Sequence, residues 1–125
     1  MASITFNLTN LTRGNDVTLK FNITTSVDLA SARLVAKKKA KDLDTALVIN
    51  KLITTSLSGD GQITDPGGAD KLAVAQFFLT KAETASFLPD VDYQWDLEIF
   101  DAGGKSTTPV GGTITFEERV RIATG

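Results

Sequence analysis

Cysteine and histidine are both missing from this 125-residue chain. Without cysteine there is no disulfide, no thiolate nucleophile and no cysteine-based zinc site, a composition compatible with assembly in a reducing cytoplasm. Without histidine the chain lacks the side chain that most often moves protons near neutral pH, and with it Ser-His-Asp, Cys-His and histidine-dependent zinc chemistry. Charge of one sign is lacking as well. Thirteen basic and 15 acidic residues give a net charge of −2, too weak a field to gather nucleic acid or an anionic membrane. No apolar run approaches the roughly 20 residues needed to span a bilayer, and Met1-Ala2-Ser3-Ile4-Thr5 has neither the basic start nor the apolar run of a secretory signal. The sequence therefore predicts a soluble, unprocessed protein without catalytic, cofactor-binding or metal-binding residues. Its length suits one domain over residues 1–125, which can bury roughly two-thirds of its unfolded surface.

What is present is β-patterning. Val17, Leu19, Phe21 and Ile23 alternate strictly with Thr18, Lys20, Asn22 and Thr24, as in a strand buried on one face. Ile4, Phe6 and Leu8 form a shorter alternation before it, separated by the turn chemistry of Arg13-Gly14-Asn15-Asp16. These two segments read as an antiparallel pair or as strands in different sheets. Ala32, Leu34 and Ala36 oppose Arg33, Val35, Lys37 and Lys39, which predicts a third strand over Ser31 to Ala40, with a helix as the alternative around the lysine run at 37–41. Residues Thr45 to Thr55 are β-branched and apolar without a visible alternation, so a bulged strand or one covered on both faces is expected. The 56–70 region is dense in glycine and aspartate and leaves only Gln62-Ile63-Thr64 as an edge element.

Leu72 to Leu79 reads as an apolar strand that runs into Thr80-Lys81-Ala82-Glu83, a capping box at a helix start. A helix of about two turns, near residues 80–88, should end at Pro89. Tyr93, Trp95, Leu97 and Ile99 share one face of a further strand, with Trp95 expected at the centre of the core. Asp101-Ala102-Gly103-Gly104 is hairpin chemistry, and the last strand carries Ile114, Phe116, Val120 and Ile122 on one parity with an interruption near Glu117-Glu118. Seven to eight short strands, one short helix and frequent turn signals predict a mainly β fold, an antiparallel sandwich.

Several side-chain groups suggest chemistry but have plainer readings. Asp60, Asp65 and Asp70 offer oxygen ligands, yet their five-residue spacing across two turns fits no calcium loop, and aspartate serves turns through local hydrogen bonds. Asp90, Asp92, Asp96 and Glu98 are acidic, with Asp96 and Glu98 on the face opposite Trp95, where solvation accounts for them. The 37–41 lysines fall on both faces of a strand with no aromatic residue between them for base stacking. The Asn-x-Thr sequons at Asn7, Asn10 and Asn22 read as strand faces.

Four stretches in fixed order then carry a family likeness: Leu79-Thr80-Lys81-Ala82-Glu83-Thr84-Ala85, Tyr93-Gln94-Trp95-Asp96-Leu97-Glu98, Asp101-Ala102-Gly103-Gly104-Lys105 and Gly112-Thr113-Ile114-Thr115-Phe116. Together with the Arg13-Gly14-Asn15-Asp16 turn, and a partial match at Val27-Asp28-Leu29-Ala30-Ser31-Ala32, they resemble the immunoglobulin-like N-terminal module of phage baseplate upper proteins. One residue is inserted in the Arg-Gly-Asp-like turn relative to that pattern. The resemblance implies an immunoglobulin-like sandwich in a tailed-phage virion, assembled in the host cytoplasm. It also implies partners among other phage structural proteins and copies of the chain itself. Family members use the module to attach fibre or receptor-binding components to the tail tip, usually ahead of further domains. A chain ending at Gly125 carries no stalk, so a tail or baseplate connector is the leading expectation and a capsid decoration protein an alternative. From a different class, a carbohydrate- or receptor-binding module would use the 56–70 loops, and a small hydrolase is the remotest reading. The terminal segments Met1 to Thr9 and Glu117 to Gly125 are candidates for docking, and no individual partner-binding residue is marked by the sequence.

Overall fold

A computed structural model describes residues 4–5, 8–38 and 47–117. The expected helix alternative around residues 39–41, much of both candidate docking termini, and the continuation of the last strand past Glu117 lie outside them. Within them the chain forms β1 (Ile4–Thr5), β2 (Leu8–Thr12), β3 (Val17–Thr25), β4 (Leu29–Lys37), β5 (Leu47–Thr54), β6 (Gly61–Asp65), β7 (Lys71–Leu79), α1 (Lys81–Ala85), β8 (Asp92–Asp101) and β9 (Ser106–Glu117).

The strands divide into two sheets. One has the order β1-β9-β8-β4-β5, with β2 also on β9; the other is β3-β7-β6. The chain crosses between sheets at β2–β3, β3–β4, β5–β6 and, through α1, β7–β8, while β4–β5, β6–β7 and β8–β9 stay within one sheet, the arrangement of a two-sheet β-sandwich. Of the two readings for the first strands, sheet switching is the one observed. The pairings are antiparallel except at the start of the chain, where β1 and β2 run parallel to β9.

Alternation explains why these segments are strands. Ala32, Leu34 and Ala36 are buried on β4, Ala73, Ala75, Phe77 and Leu79 on β7, and Tyr93, Trp95, Leu97 and Ile99 on β8. Trp95, 2% exposed, lies on a central strand and contacts Phe21 of the other sheet at 5.4 Å between ring centroids; Phe21 in turn meets Phe77 edge-on at 6.0 Å. Its indole N–H donates to Thr113 O at 2.9 Å, which satisfies the one polar atom of the side chain. The small residues Ala32, Ala36, Ala73 and Ala75 leave room for these rings. A second aromatic group, Phe87, Tyr93 and Phe116, fills the end of the sandwich beneath α1. Tyr93 Oη accepts from Leu88 N at 2.9 Å, tying strand to preceding corner in the manner of the tyrosine corner of such sandwiches.

Of the two readings for Thr45 to Thr55, the bulged strand is the one observed: the register of β5 on β4 shifts between Ile49 and Leu47. From Val48 on, β5 also alternates, with Ile49, Lys51 and Ile53 buried and Val48, Asn50, Leu52 and Thr54 exposed. That alternation was hidden because a lysine occupies an inward position and two aliphatic residues point outward. The helix expectation needs correction: α1 is little more than one turn, and Ser86, not Pro89, ends it. The Ser86 N–H and hydroxyl both bond the Glu83 carbonyl, and the chain then leaves the helical path so that Phe87 can enter the core, where it is 1% exposed. Burial of a phenylalanine, worth about 2–3 kcal/mol, outweighs another helical turn.

Candidate functional site

The 13–16 turn and the capping-box helix α1 form one hydrogen-bonded unit. Thr80 accepts from Glu83 N at 3.2 Å and donates its own N–H to Glu83 Oε1 at 2.9 Å, so the capping box is complete. The 13–16 turn holds the same helix from outside. Asp16 Oδ1 accepts from Lys81 N at the helix start, while Arg13 donates to the carbonyls of Ala85 and Phe87 at its end. Between them Gly14 N donates to Thr84 Oγ1, and that hydroxyl donates to Asn15 O, which is why Thr84 can be fully buried. The helix has no basic residue in its last turn; Arg13, more than seventy positions earlier, supplies the cation and fills the free carbonyls. Gly14 reaches φ 78°, the left-handed conformation that the turn requires.

Beside this unit stands an ion cluster. Lys51, 7% exposed, points inward from edge strand β5 and meets Glu83 at 2.5 Å and Asp60 at 3.6 Å. Burial acts to raise the Glu83 carboxyl, but the Lys51 ammonium and the two hydrogen bonds with Thr80 outweigh it and hold the group below its ordinary value. A cation between two anions fastens β5 and the β5–β6 loop to α1 in the β7–β8 crossing, an electrostatic brace between an edge strand and the crossing.

At the opposite end, three loops converge. Asp70 N and Ala69 N donate to Thr25 O and Ser26 O, Leu29 N to Pro66 O, and Ala102 N to Asp28 O. Thr25 Oγ1, in a buried side chain, accepts from Gly68 N at 2.7 Å. A Cβ on Gly68 would stand 2.0 Å from Asp28 Oδ1, and its φ is +82°, so only glycine fits. These loops border an open cavity of about 310 Å³ lined by Thr24, Thr25, Ser26, Leu29, Asp101 and Lys105 among others. Its lining is hydroxyl-rich and holds no aromatic ring of the kind that stacks on a sugar or base.

The sequence-marked aspartates do not converge. Asp60 belongs to the Lys51 cluster at one end of β6, and Asp65, at the other end, accepts from Gly67 N in a local turn. Asp70 sits at φ 61° in the turn before β7. Among the described residues no group of three histidine, cysteine, aspartate or glutamate side chains is placed to hold a metal ion, and no helix is long and apolar enough to cross a membrane. Of the second acidic group, Asp92 accepts from the Thr115 hydroxyl, while Asp96 and Glu98 lie on the outer face opposite Trp95, as their parity predicts. Lys37 joins Arg33 and Val35 on that same outer face of β4.

Sequence reasoning passed over Lys51 and Arg13. Lys51 carried a signal, since it stands at the shared parity of Ile49 and Ile53. Arg13 carried none beyond its place before a glycine turn. Compared with protein-family models and with curated proteins, the chain shows no match to either.

Proposed function

We propose that this chain is a structural component of a tailed-phage virion, an assembly or connector module of the tail or baseplate that works through protein–protein interfaces. The observation that carries the reading is the joined unit of the 13–16 turn and the Thr80 capping-box helix. The two stretches are separated by 65 to 74 positions and both belong to the family likeness, and they are bonded to each other at both helix ends. A resemblance spread over disconnected motifs would lack that coherence. The braced sandwich also suits a building block: Lys51 of β5 holds the α1 crossing at one end, and at the other Leu29 N of β4 bonds Pro66 O in the β6–β7 turn of the opposite sheet, which supports a rigid docking unit. Its partners in this reading are other phage structural proteins and copies of itself.

Immunogold electron microscopy of a phage lysate, with antibody against the chain, tests the address. Gold at the tail tip is the expected outcome; gold over the head assigns a capsid decoration protein instead. Unlabelled particles would favour the second reading, a soluble glycan- or receptor-binding module, for which the 310 Å³ cavity beside the 66–70 loop is the supporting observation. That cavity is lined by residues of 24–29 and 99–107 and by none of the 56–70 loops, and Asp60 is committed to Lys51.

A further inference from the structure

We propose that two copies of this chain join edge to edge, β3 against the partner's β3, so that their three-stranded sheets become one continuous antiparallel sheet. The proposal names one partner for the assembly reading above and rests on it for its setting. Among the described residues β3 lies at the end of its sheet, paired with β7 on one side and with no strand on the other. It keeps an unbroken register on β7 from Val17 to Thr25 and includes neither proline nor glycine. The other sheet ends are guarded. β5 turns Lys51 inward, β6 is five residues long with a register shift, and β9 is covered by β1 and β2. An inward charge, a short strand and a bulge are common protections of an edge, and β3 has none of them.

The core is also open along β3. Its inward residues Val17, Phe21 and Ile23 are only half-buried, whereas Ile49 and Ile53 of β5 and Ile63 of β6 are at most 4% exposed. A strand laid beside β3 removes that apolar surface from water.

The backbone groups at this edge belong to alternate residues. Phe78 N of β7 donates to Asp60 O on the β6 side, and Thr25 O accepts from Asp70 N on the β7 side. Antiparallel partners alternate between bonding and not bonding each other, so Val17, Leu19, Phe21 and Ile23 bond β7. Thr18, Lys20, Asn22 and Thr24 therefore direct their N–H and C=O groups to the open edge.

These residues point to a second copy, because β3 is complementary to itself. A two-fold axis centred on Phe21 pairs the strand over its whole length: Thr18 with the partner's Thr24, Lys20 with the partner's Asn22 and Leu19 with the partner's Ile23, each twice. Apolar side chains stay on the inner face and polar ones on the outer. Centring on Lys20 instead sets two ammonium groups opposite each other, a destabilising pair, and centring on Asn22 leaves Val17 and Thr18 beyond the end of the partner's strand.

Sedimentation velocity of the full chain at concentrations up to about 100 μM reads the association, and the wild type is expected to form a dimer. Asn22→Pro removes an N–H that bonds nothing on β7, and is expected to abolish the dimer with the fold intact. Asn22→Asp places a carboxylate opposite the partner's Lys20 and should lower the dissociation constant about threefold; Asn22→Lys places a second ammonium there and should raise it about threefold. The near-ultraviolet dichroism of Trp95 checks that each variant is folded. A wild-type monomer throughout the range, a folded Asn22→Pro variant that dimerises as the wild type does, or Asp and Lys variants that do not shift in opposite directions overturns the proposal. A monomeric chain that is nevertheless found in virions would remove this edge and leave the assembly reading standing; a dimer absent from virions would do the reverse.

Discussion

Trp95 and Glu83 show how much single side chains settle here. Trp95 joins the sheets through Phe21 and has its indole N–H satisfied by Thr113 O, so truncation removes both ring contacts and a hydrogen bond. Trp95→Ala is expected to cost about 3–5 kcal/mol of unfolding free energy, measured by urea denaturation. Glu83 works in two structures at once, accepting from Thr80 N in the capping box and from Lys51 in the brace. Its carboxyl is held below the ordinary value of 4.5, so between that value and the lower folded one the unfolded chain binds more protons. Stability from this group is therefore complete above about pH 4.5 and is lost as pH falls through the lowered folded value. Glu83→Gln keeps an acceptor for Thr80 but not the charge. It should lower stability at neutral pH and reduce the loss on acidification, and equal pH dependence in variant and wild type would contradict this account.

Elements in this chain hold through contacts distant in sequence, and α1 is the clearest case. Five residues are far too few to form a helix in isolation. The capping box gives the start, but Arg13 and Asp16 hold the two ends. Arg13→Ala leaves the Ala85 and Phe87 carbonyls without their donor and should cost about 1–3 kcal/mol, with the loss concentrated in faster amide exchange over residues 81–90. Unchanged exchange there would show that the helix stands without the turn. The same case shows what the sequence could reveal. Strands with alternating residue types, β3, β4 and β8, and the capping box at Thr80 were legible because each signal is local. The length of α1 was not, because Phe87 is drawn into the core by partners on β8 and β9. Nor was the alternation of β5, where residue type and burial disagree at Val48, Lys51 and Leu52. The aspartates at 60, 65 and 70 were legible as turn residues, while the partition of Asp60 into an ion cluster depended on where Lys51 and Glu83 meet.

At the scale of the whole molecule, the sandwich is braced at both ends, and one broad outer face carries ordered charge of both signs. A binding module concentrates its chemistry in a cleft. Here the most organised polar pattern lies on a sheet face, and the end cavity is open and without aromatic rings. The proposed assembly role draws its support from that distribution, because copies that assemble must meet in a defined register. The most direct test of the central claim is quantitative mass spectrometry of phage particles purified by density gradient. A component of the virion should band with the particles and survive salt washing at a fixed number of copies per particle. Recovery of the chain only in the soluble lysate, with none in the particle band, would contradict the claim.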